Sequence, residues 1–320
     1  MKMADYRLRR RSHYGGGALP LADCRERGSA LLLVMWAIIM LTAAILAWTS
    51  YVEADLEFSA DRNRAIEAKA MAHSGIALGL HPLVSEKTPG LEEQVNAQLG
   101  FRVRIMGEGG RLNINTLLAG EQPENLELLS RWLESHGYMY QEREAFLDCL
   151  LDWVDQDEVK HLNGAEAEEG YTPPNRGSFE SVDEIEQVRG AGPLLRSKGW
   201  KDEITVYGGG KVDISSATES VLKLLPGLGE AQIQRFLQVR RGRDQIDGTL
   251  DDHEFTLVEF QSYLGMTNQQ FNKSPLGKLV AAKDQTQRII SEGRSSNVVR
   301  QVEVVARKGG ANPQIQYWKE

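Results

Sequence analysis

Directly after Gly28 the chain carries no charge from Ser29 to Val52, and Ala30–Trp48 is almost wholly apolar. As a helix that stretch crosses ~30 Å of hydrocarbon. Charge resumes beyond it at Glu53, Asp55, Glu57 and Asp61, and Arg25, Glu26 and Arg27 precede it. A secretory signal has a shorter apolar core with its cleavage site behind that core. Here the expected cut, after Gly28, falls in front of the run, so the run would stay in the mature chain. One anchored end and a large body outside the membrane are the expectation.

Basic residues flanking a first span stay on the cytoplasmic side. Lys2, Arg7, Arg9, Arg10, Arg11, Arg25 and Arg27 outnumber Asp5, Asp23 and Glu26 before the span. The N-terminus is therefore expected in the cytoplasm and the body outside, in the periplasm of a two-membrane bacterium. The body is long enough for one large or two ordinary domains. A net charge of −8 argues against a partner bound through its phosphates, which calls for a basic face. Of the two cysteines, Cys24 and Cys149, only Cys149 survives cleavage at Gly28, so no intramolecular disulfide remains.

Helix-forming residues continue past the span, with Leu56, Ala60, Ile66, Ala70, Ala77 and Leu80 on one stripe. One helix from Ser29 to about Leu80, ended by Pro82 and Pro89-Gly90, is predicted. Phe101–Ile105 and Arg111–Asn115 each alternate apolar and polar residues around Gly107, Gly109 and Gly110, which reads as a hairpin. Helices follow at 125–135, 142–154 and 179–188. Ile204–Tyr207 and Lys211–Ser215, joined by Gly208-Gly209-Gly210, read as a second hairpin. Gly210–Ser216 repeats the character of Gly110–Thr116, and Phe255–Phe260 echoes Phe179–Glu184, which suggests two related helical units. Strands around 288–290, 298–305 and 315–318 close the chain.

These features set the expected organisation: a leader (1–28), a transmembrane helix (29–50), the first part of an α/β domain (51–116), a helical unit with an acidic loop (117–203), a strand hairpin (204–216), a second helical unit (217–283) and strands completing the sheet (284–320). The fold class is α+β: a long N-terminal helix packed on an antiparallel sheet, with a large helical domain inserted into that sheet.

A basic leader ending in Gly, with the apolar helix starting at once, resembles the type IV pilin-like leader. That likeness implies cleavage by prepilin peptidase between Gly28 and Ser29 and N-methylation of Ser29. Most of that superfamily carries Glu at the fifth mature position, where this chain has Leu33. The Glu is thought to neutralise the N-terminal ammonium of a neighbouring subunit, since a buried charge is tolerated when paired. A subunit with nothing ahead of it can dispense with the carboxylate. Gly110–Thr116, Leu151–Glu166, Pro173–Val188 and the Leu-Pro-Gly-Leu-Gly run at 225–229 resemble the minor pseudopilin K family of type II secretion. The resemblance implies a pilin-like domain with an inserted helical domain. It implies a place at the pseudopilus tip, with minor pseudopilins I and J, other pseudopilins and the inner-membrane assembly platform as partners. It also implies a role in starting a filament that exports folded periplasmic proteins.

Asp152, Asp155, Asp157, Glu166 and Glu169 are the candidate metal ligands. Ca²⁺ takes six to eight oxygens at 2.3–2.6 Å, which a loop rich in carboxylates can supply. The spacing is not that of an EF-hand, and a solvated acidic loop is the other reading of the residues alone. The family resemblance favours structural Ca²⁺. Asp244, Asp247, Asp251, Asp252 and Glu254 form a second acidic run that reads as a surface loop.

Leu225–Gly229 also resembles a helix–hairpin–helix turn, and Arg235, Arg240, Arg241 and Arg243 follow it. The rival reading is therefore a membrane-anchored DNA-binding protein. The six histidines show no metal-ligand spacing, and neither HExxH nor GxSxG occurs, so no enzyme is expected. Cys149 reads as a buried thiol, His161 as a surface residue, and Trp132, Trp153 and Trp200 as core anchors.

Overall fold

The computed structural model describes residues 25–88, 91–309 and 312–320, with side chains from Ala30 onward. Most of the expected leader therefore lies outside the described residues, and the Gly28–Ser29 junction is described in its backbone alone. Two compact units divide the chain, Met1–Asp61 and Arg62–Glu320. Helix α1 (Arg25–Gly79) contributes to both.

In the first unit α1 is a bare apolar rod. Its large side chains from Leu31 to Trp48 are each between 52% and 71% exposed. The hydroxyls of Thr42 and Thr49 donate back to the carbonyls of Ile38 and Ile45 at 2.7 and 2.6 Å. A spanning helix needs its polar groups satisfied internally in this way.

The second unit begins where α1 turns one face inward. Ala68, Ala72 and Ile76, four residues apart and so on one side of the helix, are at most 1% exposed. They pack on a five-stranded sheet built from β1 (Glu92–Gln94), β2 (Leu99–Gly107) and three strands from the C-terminal end of the chain. Between β2 and those strands comes the helical insertion. It starts with β3 (Leu112–Asn113), α2 (Ile114–Leu118), α3 (Pro123–Ser135) and α4 (Tyr140–Val154). Next come α5 (Gly192–Arg196), α6 (Trp200–Glu203), β4 (Ile204–Thr205) and β5 (Val212–Asp213). Helices α7 (Glu219–Leu224), α8 (Glu230–Arg240), α9 (Leu257–Tyr263), α10 (Asn268–Lys273) and α11 (Pro275–Leu279) lead to β6 (Val280–Ala281). The chain then re-enters the sheet as β7 (Thr286–Ser295), β8 (Val298–Arg307) and β9 (Gln314–Lys319).

The sheet order is β1-β2-β7-β8-β9, antiparallel throughout. Strands β2 and β7 pair from Leu99↔Ser295 to Gly107↔Gln287, so the whole helical domain leaves and returns at neighbouring strand ends. The mixed α+β class follows. Phe101, Val103, Ile105, Ile289, Val302, Val304 and Ala306 face α1 and are buried, while Arg102 and Arg104 on alternate β2 positions are exposed. The helix sits close because two glycines make room. A Cβ on Gly293 would lie 2.0 Å from the Ala68 carbonyl oxygen and 2.2 Å from the Ala72 nitrogen, and one on Gly75 would lie 2.1 Å from Ser291 Oγ.

Neither expected hairpin forms. The strands flanking β2 are β1 and β7, and the segment after Gly110 gives only the two residues of β3, which run parallel to β4. Asn113 then stops the strand by capping a helix, its Oδ1 accepting the Thr116 N–H at 3.1 Å. Strand β4 does not fold back on β5, which runs parallel to β6 instead. The linking glycines, Gly208 and Gly210 at φ +95° and +86°, redirect the chain, and the Gly209 N–H donates to Asp284 Oδ2 at 2.6 Å. Each half of the insertion thus opens and closes on a short parallel strand pair. The segment expected as a helix at 179–188 is a 3-10 turn over Val182–Gln187, with Ser181 Oγ accepting the Asp183 N–H at 3.1 Å.

The insertion has its own core, separate from the one under α1. Trp132, Leu129, Leu133, Leu150, Ile185, Leu194 and Ile204 are fully buried. Trp153 and Trp200 join them at 5% and 4% exposure, as expected of anchors.

Candidate functional site

Helix α4 delivers the acidic loop. It ends at Val154, and the apolar face that buries Phe146, Leu147, Leu150, Leu151 and Trp153 also carries Cys149 and Asp152 inward. Asp152 is fully buried. Its Oδ1 accepts the His161 backbone N–H at 3.0 Å and lies 2.5 Å from His161 Nδ1. Its Oδ2 has no hydrogen-bond partner. A buried carboxylate oxygen left unpaired costs free energy unless something cationic meets it.

Asp152 is not alone. Asp155 Oδ1, Glu166 Oε1 and Asn175 Oδ1 are also buried without a partner. Asp152, Asp155 and His161 each offer a ligand atom, and those atoms lie within 4.8 Å of one another. Burial, then the charges of Glu166, Asp157 and Asp152, push the Asp155 carboxyl up to about 6. Glu166 stands outside the tightest group, and its Oε2 takes a hydrogen bond from Asn175 Nδ2 at 3.4 Å. Asn175 adopts φ +47° and also donates to the Asp157 carbonyl at 3.2 Å, which ties the far side of the loop to the near side. A set of oxygens without hydrogen-bond partners, gathered on a loop, fits a hard divalent cation.

Of the five expected ligands the structure gathers Asp152 and Asp155, sets Glu166 beside them with a buried unpartnered oxygen, and leaves Asp157 and Glu169 exposed. Asp157 is exposed and accepts the Val159 N–H at 2.7 Å. Glu169 is exposed as well. His161, expected on the surface, is half-buried against Asp152. Burial opposes its protonation, but the hydrogen bond and charge of Asp152 outweigh this and hold its pKa above the usual imidazole value. Asn175 was not expected at all. Its one sequence signal was position, just after Pro173-Pro174, where a turn can aim a short amide at the loop.

The second acidic run behaves as a surface loop. Asp251 Oδ2 accepts the N–H groups of Arg243 and Asp244 at 2.6 and 3.2 Å, and Asp252 Oδ2 those of Gly248 and Thr249. Its carboxylates are largely occupied by the loop's own backbone. The run at 225–229 joins α7 to α8, with Gly227 at φ +80°. Yet Arg240 points inward, 3% exposed, and donates to the Ile214 and Ala217 carbonyls and to Asp247. Arg241 is also bound to Asp247. Arg235 donates to the Ala231 carbonyl at 3.0 Å, so three of the four arginines that would meet phosphates hold bonds within the protein.

The other candidate surface is the exposed rod of α1. It is the one described helix long and apolar enough to cross a membrane. Leu33 is 71% exposed on it.

Residues 110–198 match the model of a family described as type II secretion system (T2SS), protein K. That stretch runs from β3 past α5 and contains the whole acidic loop. The family whose model matches this stretch is type II secretion protein K. In structure the chain is similar to one in the GspK–GspI–GspJ complex of the type 2 secretion system of enterotoxigenic Escherichia coli. The TM-score is 0.59 at 13% identity, covering 84% of this chain and 98% of that one. At that identity the likeness speaks for the fold: a long helix, an antiparallel sheet and an inserted helical body. No curated protein matches the chain.

Proposed function

We propose that this chain is a minor pseudopilin at the tip of the type II secretion pseudopilus. Prepilin peptidase cuts it between Gly28 and Ser29 and methylates Ser29. The helix from Ser29 to Trp48 anchors it in the inner membrane, with the body in the periplasm. There it assembles with minor pseudopilins I and J, joins the other pseudopilins through the inner-membrane assembly platform, and starts the filament that drives export of folded proteins.

The observation that carries this reading is Leu33. Lateral packing of apolar helices relies on close van der Waals fit and small residues, and Ala37, Ala43, Ala44 and Ala47 supply them on the exposed rod. A rod built for such packing that lacks the usual acidic side chain suits the one subunit with no neighbour ahead of it. The family match over the insertion and the likeness in fold support the same assignment.

The acidic loop gives the body a structural role for Ca²⁺. Asp152, Asp155, Glu166 and Asn175 would hold the ion, supplying oxygens that otherwise have no partner. The ion would offset the burial and the neighbouring charges that keep Asp155 hard to ionise.

The function is tested by replacing the chromosomal copy with the Gly28→Ala variant. Secretion should stop and the chain should keep its leader. A variant that still secretes with the leader attached overturns the assignment.

A further inference from the structure

A recess of about 360 Å³ opens beside the acidic loop, lined by Ala145, Phe146, Cys149, Gly190 and Pro193, with Asn163 as one wall. Asn163 is placed by α4. Its N–H and Nδ2 donate to Asp148 Oδ2 at 2.9 and 3.1 Å, and its carbonyl faces Cys149 Sγ at 3.8 Å. One helical turn on, Asp152 holds the His161 N–H. Gly164 presses so close that a Cβ there would lie 1.8 Å from Asp152 Oδ2. The wall over Cys149 and the unpaired oxygen of the fully buried Asp152 therefore belong to one short loop.

Beyond those bonds and the small Ala165, 1% exposed, that loop has little apolar anchoring. Val159 and Leu162, its two large apolar side chains, are 72% and 93% exposed. A segment with few buried apolar contacts opens at low free-energy cost. The mutual repulsion of its carboxylates works against the Asn163–Asp148 and His161–Asp152 bonds that close it.

We propose that the segment 155–166 is a cation-dependent lid. With the ion bound, it holds Asn163 over Cys149 as a wall of the recess; when the ion leaves, the lid lifts and bares Cys149 while the rest of the insertion stays folded. The proposal rests on the cation reading above and adds the coupling between ion and recess.

The test uses the full chain in detergent micelles with Cys24→Ser, so that Cys149 is the only thiol. Labelling of Cys149 by N-ethylmaleimide is timed in calcium and in EGTA, alongside a melting curve. A second chain, Cys24→Ser/Cys149→Ser/Val221→Cys, carries its thiol in the core of the other helical half, where Val221 is fully buried. The expected result is labelling of Cys149 at least about tenfold faster in EGTA, with the cysteine at 221 still protected, as local opening requires. Asn163→Ala should quicken the labelling of Cys149 even in calcium. If calcium raises the melting temperature but leaves the Cys149 rate unchanged, the lid is wrong and the ion site stands. If both thiols accelerate together, the domain unfolds as a whole and the lid is wrong. If calcium changes neither melting nor labelling, both readings fall.

Discussion

Glu108 and Arg288, 180 positions apart in sequence, meet as a forked pair: Arg288 Nε donates to Glu108 Oε2 at 2.8 Å and Nη2 donates to Oε1 at 2.7 Å. Glu108 is the first residue after β2 and Arg288 sits near the start of β7, so the pair closes the neck through which the insertion leaves and re-enters the sheet. Glu108 is fully buried and also accepts from Arg111 and from Thr205 on β4, each at 2.5 Å. Arg288 reaches on to Glu303 on β8. Sheet, neck and insertion thus share one ionic network.

Removing one partner of a buried pair leaves the other charge uncompensated, which costs about 3–5 kcal/mol. Glu108→Gln should therefore lower the stability of the periplasmic body by about 3 kcal/mol or more, read by calorimetry. Burial pushes the Glu108 carboxyl up, but the hydrogen bond from Arg288 and the charges of Arg111 and Arg288 overcome it and hold the carboxyl below its ordinary value of 4.5. A depressed carboxyl stabilises the fold above the unfolded pKa and loses that contribution as pH falls through the folded one. The stability gap between the native chain and Glu108→Gln should therefore shrink below about pH 4.5.

The glycine pocket under α1 gives a second test. Gly293→Ala sets a Cβ against the backbone of Ala68 and Ala72, which no rotamer change can relieve. Overpacking of this kind costs about 1–3 kcal/mol or more. The helix should separate from the sheet, seen as lower melting temperature and faster amide exchange across β7.

Calcium should stabilise the body through the acidic loop. At about a hundredfold excess over Kd the gain is about 2.7 kcal/mol, or roughly 5–10 °C for a body of this size. Asp152→Asn should abolish the response. Asp157→Asn and Glu169→Gln should retain it, because those side chains stand outside the cluster. A loss of response in Glu169→Gln equal to that in Asp152→Asn would mean a different ligand set.

Processing is checked by mass spectrometry of the protein from membranes. The expected mature chain begins at a methylated Ser29. Gly28→Ala should leave the leader attached.

Long, uniform patterns were the legible part of the sequence. The apolar run to Trp48 and the alternation of Phe101, Val103 and Ile105 each repeat over enough residues to fix one structure. The stripe expected through Leu56, Ala60, Ile66, Ala70, Ala77 and Leu80 does not hold, since α1 buries Ala68, Ala72 and Ile76 while Leu56 and Ile66 are 64% and 60% exposed. The short pieces misled. Arg111–Asn115 alternates like a strand, but Asn113 caps a helix there, and two residues of β3 cannot reveal that their partner is Ile204–Thr205. That the C-terminal strands complete the sheet across the insertion was legible, but the β2–β7 register was not, since the two strands are joined by no local turn. In the acidic loop, Asp152, Asp155 and Glu166 stood out by charge. His161 and Asn175 did not, because their role depends on the loop folding back over α4.

The central claim is that this chain builds a tip with two other minor pseudopilins. The direct measurement is size-exclusion chromatography with native mass spectrometry on the full-length chain, co-expressed with minor pseudopilins I and J and solubilised in detergent. The account predicts a single species containing all three. Elution of I and J together, with this chain emerging alone, would contradict it.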